Sequence, residues 1–278
     1  MAILPAEATP PARSGSACDF ASDYEIGQSP VMMEIERRVR GSAYGATSWT
    51  TRAQAEAATV RLGLTSGRRM LEIGGGSGWP ALFLAMVSGC EVVITDLPLS
   101  GLRIARARAM HDGLSDRCTE LVADGAALPF ADHSFDRVHH ADVLCCMERK
   151  REMLQECRRV AGDGANMEFS VIALARKPTS DEERRLLEKS GPPYPDAGAD
   201  YAVLLFETGW KVLDCIDVTA EFVRCMDVLL QEYSARRDAL LDLVGERNYA
   251  ERLERRLSTQ AAVSRGLLKR EIFFTRKC

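Results

Sequence analysis

Residues 70–80 of the chain read MLEIGGGSGWP, and this stretch decides the fold. An apolar run ends at Ile73, glycine fills four of the five positions from Gly74 to Gly78, and Pro80 follows. Glycine adopts positive φ and has no Cβ, so a turn built from it lets a ligand approach the backbone. Proline suits the first turn of a helix. The stretch therefore predicts a strand, a turn with a ligand site, and a helix.

Beyond this stretch, short apolar runs alternate with segments of helical spacing. The further strand-like runs are EVVITD, CTELVA, FDRVHH, ANMEFSVIAL and WKVLDCIDV, followed by a closing REIFFTRK. Alternation of this kind predicts an α/β fold with a Rossmann-like doubly wound sheet between two layers of helices. We expect the sheet to be mostly parallel with an antiparallel last strand, and a helical cap to be inserted before that strand.

The predicted domain organisation is simple. Residues 1–22 are rich in Ala, Pro and Ser and predict a disordered lead-in. Residues 23–278 predict a single domain, with N-terminal helices at 23–65 and the helical insertion at 219–268. No apolar run approaches the roughly 20 residues of a membrane span, so no membrane partner is expected.

Composition narrows the classes of protein. Of the 278 residues, 46% are hydrophobic and 27% charged, and the net charge is −4, which favours a soluble globular protein without a nucleic-acid partner. The nine cysteines show no C-x-x-C spacing, and the four histidines form no ligand pattern with them. We therefore expect no metal, and reduced cysteines in the cytoplasm.

The register of the glycines separates two kinds of cofactor. A dinucleotide turn needs G-x-G-x-x-G, which no register of this stretch provides. The stretch instead fits E-x-G-x-G-x-G, and here it resembles motif I of the class I S-adenosylmethionine-dependent methyltransferases. The resemblance implies that Glu72 supports the cofactor's ammonium, and that Gly74, Gly75, Gly76 and Gly78 leave room for its sulfonium and ribose. A carboxylate suits this cationic cofactor but would repel a pyrophosphate.

Two later segments extend the resemblance. EVVITDLP is similar to the family's second motif, which implies that Asp96 accepts hydrogen bonds from the ribose hydroxyls and that Leu97 lies against the adenine. The stretch VADGAALPFADHSFDRVHH resembles the family's link between the third and fourth strands. By that match, Asp124 accepts from the adenine amino group and Gly125 lies beneath the ring.

The catalytic candidates follow the fourth strand, in HHADVLCCM. The resemblance implies that Ala141 faces the cofactor's methionine portion, while His140 and Asp142 reach the methyl group as a base or by orienting an acceptor. Both could equally be polar residues that cap a strand end and a turn. His139 is interpreted as such a cap.

The family resemblance implies methyl transfer to O, N or C of a small metabolite or natural product. Tyr44 and Trp49 are candidates to close the pocket, and Phe222, Met226 and Tyr233 to line the cap. The alternative is a non-methylating S-adenosylmethionine-binding protein, regulatory or cyclase-like. A nucleic-acid or protein methyltransferase is disfavoured because no basic recognition module is visible. The oligomeric state is left open, a homodimer included.

Overall fold

The computed structural model describes residues 20–278, so the greater part of the predicted lead-in, residues 1–19, lies outside the described residues. Within the described residues, helix α1 begins at Phe20, so residues 20–22 of the predicted lead-in are helical. Contacts explain the earlier start. The ring of Phe20 stacks on Tyr24 with 6.3 Å between centroids, and Ser100 Oγ donates a hydrogen bond to the carbonyl of Ala21.

Ten α-helices and one short 3₁₀ helix (Leu144–Cys146) are found within the described residues. The α-helices are α1 (Phe20–Gly27), α2 (Pro30–Arg40), α3 (Arg52–Arg61), α4 (Ala81–Ser88), α5 (Leu99–His111), α6 (Lys150–Val160), α7 (Asp181–Lys189), α8 (Tyr201–Glu207), α9 (Thr219–Ala235) and α10 (Arg237–Ser264). Several begin with the expected caps: Thr51 Oγ1 accepts from the Gln54 N–H and forms a capping box at α3. Gly245 has non-helical dihedral angles and kinks α10.

Seven strands form one sheet. They are β1 (Arg69–Ile73), β2 (Glu91–Asp96), β3 (Cys118–Val122), β4 (Phe135–Ala141), β5 (Ala161–Leu174), β6 (Trp210–Asp217) and β7 (Leu268–Lys277). Their order is β3-β2-β1-β4-β5-β7-β6. Strands β1 to β5 pair in parallel, and β7 runs antiparallel to both β5 and β6. The predicted doubly wound sheet with an antiparallel last strand is confirmed.

Alternation along the strands divides the core between two faces. In β1, Met70 packs in the cluster beneath α3, α4 and α5, whereas Leu71 packs in the cluster on the other face. The same alternation puts Glu72 and His139, which are paired in register across β1 and β4, on the α3 face. His140 therefore points to the opposite face.

Helices α9 and α10 follow β6 and return the chain to β7. They pack on each other, and α9 also packs on α2. Both thus lie over the edge of the sheet where the N-terminal helices are found. No helix in residues 20–278 has the length and apolar character needed to cross a membrane.

Candidate functional site

The glycine turn after β1 lies where the strand order reverses, between β1 and β4. Ligands bind at such a switch point, outside the carboxyl ends of the strands. Gly74 and Gly76 have φ of +67° and +50°, which side chains other than glycine rarely adopt. A Cβ on Gly74 would lie 2.5 Å from Val143, and one on Gly76 would lie 2.5 Å from the ring of Tyr24. Glycine is thus required here both by conformation and by space.

Glu72 is buried beside this turn, with 1% of its surface exposed. Its Oε2 lies 2.7 Å from Nδ1 of His139, while its Oε1 has no hydrogen-bond partner among residues 20–278. Although burial lowers the pKa of His139, the charge and hydrogen bond of Glu72 outweigh it, so the pKa of His139 is raised. A buried carboxylate oxygen without a donor is unfavourable, and it suits a cationic donor such as an ammonium.

Asp96, at the end of β2, accepts three hydrogen bonds. The Leu97 N–H donates to Oδ1 at 2.7 Å, and the Gly76 N–H and the Tyr24 hydroxyl donate to Oδ2 at 2.8 and 3.0 Å. Burial raises the pKa of Asp96. Burial, and then the charge of Asp96, raises the pKa of Tyr24 well above its ordinary value. The Tyr24 hydroxyl of α1 thus donates to the carboxylate of Asp96, as a ribose hydroxyl of the cofactor was expected to do.

The three residues predicted to contact adenine lie at the same edge of the sheet. Leu97 follows β2 and is 62% exposed, as a hydrophobic contact for a planar ring would be. Asp124 follows β3, where Oδ1 accepts from the Ala126 N–H and Oδ2 forms an ion pair with Arg149 at 3.1 Å. A Cβ on Gly125 would lie 2.9 Å from a methyl group of Ile73. The strand ends thus bring these residues together, and Arg149 was not expected beside Asp124.

A cavity that is partly open to solvent adjoins Ala141 and Asp142. Its walls come from α1, α2, the segment after α2, β5, α9 and α10. The apolar lining residues include Met32, Ile35, Val39, Trp49, Ile172 and Leu229. Tyr233 lines it as well, whereas Phe222 and Met226 are buried in the core and Tyr44 packs on Trp79. The arrangement can enclose a molecule with an apolar body.

Asp142 faces the cavity, but both of its oxygens are already paired. Oδ1 accepts from Arg270 Nε at 2.9 Å and from Ser170 Oγ at 3.1 Å. Oδ2 accepts from the Trp49 N–H at 2.8 Å and from a terminal nitrogen of Arg270 at 3.1 Å. The carboxylate thus positions Trp49 and neutralises Arg270. The structure does not support the predicted role of Asp142 as a base.

His140 does not reach the cavity, which corrects its selection as a catalytic candidate. Its side chain is 0% exposed and stacks on Phe169 with 4.6 Å between ring centroids. Neither ring nitrogen has a hydrogen-bond partner. Burial, and then the neighbouring His139, lowers the pKa of His140 well below its ordinary value. Strand alternation explains the difference, since it turns His140 into the core.

Sequence reasoning missed several residues of this site, among them Tyr24, Arg149, His139 and Arg270. His139 was interpreted as a strand cap, although it pairs with Glu72 across β1 and β4. Arg270 lies near the start of the closing strand and carried no signal at all. Because its partner Asp142 is 128 residues away, only the register of the sheet brings them together.

Comparison with known proteins decides the family. A family described as "Methyltransferase domain" matches residues 71–169. The chain is 27% identical to Methyltransferase GfsG of Streptomyces halstedii over 69% of this chain and 68% of that protein. It is 30% identical to O-methyltransferase rstn1 of Aspergillus nomiae over 57% of this chain and 71% of that protein. The chain belongs to the class I S-adenosylmethionine-dependent methyltransferases.

A solved structure agrees on the fold of this methyltransferase. The [4+2]-cyclase SpnF superposes with a TM-score of 0.74 at 20% identity, covering 95% of this chain and 96% of that one. At that identity the likeness concerns the fold alone. The family's cofactor is S-adenosylmethionine, and the residues of this methyltransferase fit it: Glu72 Oε1 is an unpaired anionic acceptor for the ammonium, next to a turn bare of side chains.

Proposed function

We propose that this methyltransferase methylates an O, N or C atom of a small metabolite or natural product held in the cavity beside β4. One observation carries the proposal. The cavity reaches the carboxyl edge of the sheet at Ala141 and Asp142, one strand from the glycine turn, and helices α9 and α10 cover it. An acceptor in the cavity is thereby next to the cofactor side of the sheet.

The cofactor-binding residues are assigned by chemistry. Glu72 accepts from the methionine ammonium through its unpaired Oε1, and Asp96 accepts from the ribose hydroxyls. Leu97, Asp124 and Gly125 border the adenine, and Ala141 borders the methionine portion. Gly74, Gly75, Gly76 and Gly78 keep the turn free of side chains, although Gly78 also serves packing, since a Cβ there would lie 2.5 Å from Leu82.

The protein's contribution to the reaction is mainly alignment. The bound cofactor supplies a methyl group already activated by its sulfonium. The chain's residues hold the acceptor in line and exclude water, effects that can account for much of a rate enhancement. Asp142 acts by holding the Trp49 backbone at the cavity wall. An acceptor that needs no deprotonation suits this site best, because a base is required only when a proton must leave.

A second candidate function is a protein that binds S-adenosylmethionine without transferring its methyl group. It is favoured by the state of the two predicted bases: His140 is buried away from the cavity, and Asp142 is paired on both oxygens. The two functions differ in one product. Release of S-adenosylhomocysteine in step with consumption of an acceptor supports methylation. Conversion of a small molecule while S-adenosylmethionine stays unchanged supports the second candidate.

Cofactor binding is tested by calorimetric titration with S-adenosylmethionine and, separately, with NAD. We expect binding of S-adenosylmethionine alone. Asp96→Ala should weaken it at least about tenfold, since hydrogen bonds to a charged group contribute roughly 1.5–3 kcal/mol. Asp116→Ala, at an exposed position, is the matched control and should leave the affinity unchanged. If Asp96→Ala binds as tightly as the control, the site assignment fails.

A further inference from the structure

The charges around the cavity do not balance, and Arg256 has no acid as a partner among residues 20–278. Four arginines line the cavity: Arg40, Arg252, Arg255 and Arg256. Three carboxylates line it too: Asp23, Glu36 and Asp142. Lone cations inside a protein are costly, so each charge is expected to have a partner.

Each of the three carboxylates already has a partner other than Arg256. Asp23 pairs with Arg252, and Asp142 pairs with Arg270, which lies outside the cavity lining. Glu36 accepts hydrogen bonds from the hydroxyl of Ser42 and from three backbone N–H groups, and lies 3.7 Å from Arg40. No acid of the cavity is left over.

Arg256 itself contacts a ring but no acid. Its guanidinium lies 5.2 Å from the centroid of the Trp49 ring, and within residues 20–278 it makes no ion pair and no hydrogen bond. Burial lowers its pKa, the charges of Arg40 and Arg255 act in the same direction, and Tyr233 and Asp23 oppose them. The backbone N–H of Trp49 donates to Asp142, the residue that follows β4. Arg256 therefore lies over the wall of the cavity that is nearest to β4.

Two further polar atoms in the same wall lack a partner. Nε of Arg40 and Oγ of Ser48 are both buried, and neither makes a hydrogen bond within the part of the chain that the structure describes. Both residues line the cavity. Among the described residues, the wall therefore has spare donor capacity and no spare acid, while Met32, Ile35 and Leu229 give the cavity an apolar part.

We infer that the acceptor carries an anionic oxygen group, a carboxylate or a phosphate, on an apolar body, and that Arg256 binds this group. The inference rests on the proposed function, because it assigns the cavity to the acceptor. A guanidinium presents a planar fork of donors that matches both anions. Its contact with Trp49 leaves the edge of the fork available for such a pair.

The inference is tested by calorimetry with three probes that share an alkyl chain: octanoate, octyl phosphate and octanol. We expect at least one of the two anions to bind the full chain at least about tenfold more tightly than octanol. Comparison of octanoate with octyl phosphate then tells which anion the site prefers. Equal binding of all three probes would overturn the inference.

Variants locate the effect. Arg256→Met should abolish the preference for the anion, and Arg256→Lys, which keeps the charge without the fork, should retain part of it. Arg247→Met removes an exposed guanidinium from the same helix and should keep the full preference. A preference that survives Arg256→Met contradicts the inference. The melting temperature of each variant shows whether it is folded. If Arg256→Met does not fold, the binding measured with Arg256→Lys decides the test.

Binding of S-adenosylmethionine separates this inference from the proposed function. We expect Arg256→Met to bind the cofactor as the unchanged protein does. If the substitution instead weakens binding of the cofactor tenfold and leaves binding of octanoate unchanged, Arg256 binds the cofactor's carboxylate and the inference is wrong. If the unchanged protein binds no cofactor, the proposed function fails, while the anion preference is still measured.

Discussion

At the scale of single residues, two adjacent histidines of β4 differ completely in environment. His139 faces Glu72 on one side of the sheet, and its raised pKa favours the protonated form. His140 faces Phe169 on the other side, and its lowered pKa favours the neutral form. A change of one position along a strand therefore decides which histidine is charged.

The first prediction concerns His140→Leu. We expect this variant to have a higher free energy of unfolding than the unchanged protein. The substitution removes two buried nitrogens that have no partner in the described residues. The difference should grow as the pH falls below about 6.5, the ordinary pKa of histidine, by up to about 1.4 kcal/mol per pH unit. The sign follows from proton binding: the unfolded chain takes up a proton there, and the folded chain does not. Urea unfolding at several pH values measures it.

His139 acts with the opposite sign, which defines the control. A raised pKa stabilises the fold below about pH 6.5, and this contribution is lost as the pH rises through the folded-state pKa. His140→Leu leaves this contribution in place, so the variant should be more stable at every pH, and the pH dependence of its stability should differ from that of the unchanged protein only on the acid side. His111→Leu, at an exposed position, controls for loss of an imidazole. A variant profile parallel to that of the unchanged protein would contradict the prediction.

Spacing alone predicted the residues of the glycine turn, because the requirement is local. Four glycines within five positions predict positive φ and a backbone without side chains. Glu72 precedes the first of them by two residues. The partner of that acid could not be predicted in this way. His139 is 67 residues from Glu72, and only the register between β1 and β4 sets them opposite each other.

At the scale of elements, α1 covers the cofactor side of the sheet. Its Tyr24 is buried, its ring lies against Gly76 and Gly101, and its hydroxyl donates to Asp96. A ribose hydroxyl would need the same carboxylate. The described conformation is therefore closed over the turn, and the proposed contact of Asp96 with the ribose would need α1 to move or Tyr24 to rotate.

The second prediction is that Tyr24→Phe binds S-adenosylmethionine more tightly than the unchanged protein. The substitution removes the hydrogen bond that competes for Asp96, which raises the fraction of molecules ready to bind. A competing hydrogen bond of about 1 kcal/mol corresponds to a roughly fivefold gain in affinity. Calorimetric titration measures it.

Tyr201→Phe is the matched control for this element. Its hydroxyl is also buried but has no partner in the described residues, and it lies on α8 away from Asp96. We expect cofactor affinity to be unchanged in this variant. A loss of affinity in Tyr24→Phe would show that the phenol helps to hold the cofactor, and the idea of competition would be wrong.

At the scale of the whole molecule, one buried ion pair joins segments from both ends of the described chain. Arg270 of β7 pairs with Asp142 after β4 and also donates to Ser170 of β5, to Gln54 of α3 and to Thr50. It is 1% exposed. The strand pattern predicted the sheet that these segments share, since apolar alternation is a property of each segment. The pair itself depends on contacts between segments, which no single segment encodes.

The last prediction follows from that burial. Arg270→Met should lower the free energy of unfolding by about 3–5 kcal/mol, because it leaves the carboxylate of Asp142 buried without its cation. Asp142→Asn combined with Arg270→Met should recover part of this loss, since the uncompensated charge is then removed as well, and a coupling of roughly 0.5–3 kcal/mol is expected. Arg276→Met, at an exposed position of the same strand, should change little. Urea unfolding of the unchanged protein, of the single variants Asp142→Asn and Arg270→Met, and of the double variant measures the cycle, and Arg276→Met is measured beside them as the control. If Arg270→Met is no less stable than Arg276→Met, the ion pair does not hold these segments together, and the wall of the cavity at Trp49 is fixed without it, by packing and by the hydrogen bond from the Trp49 N–H to Asp142.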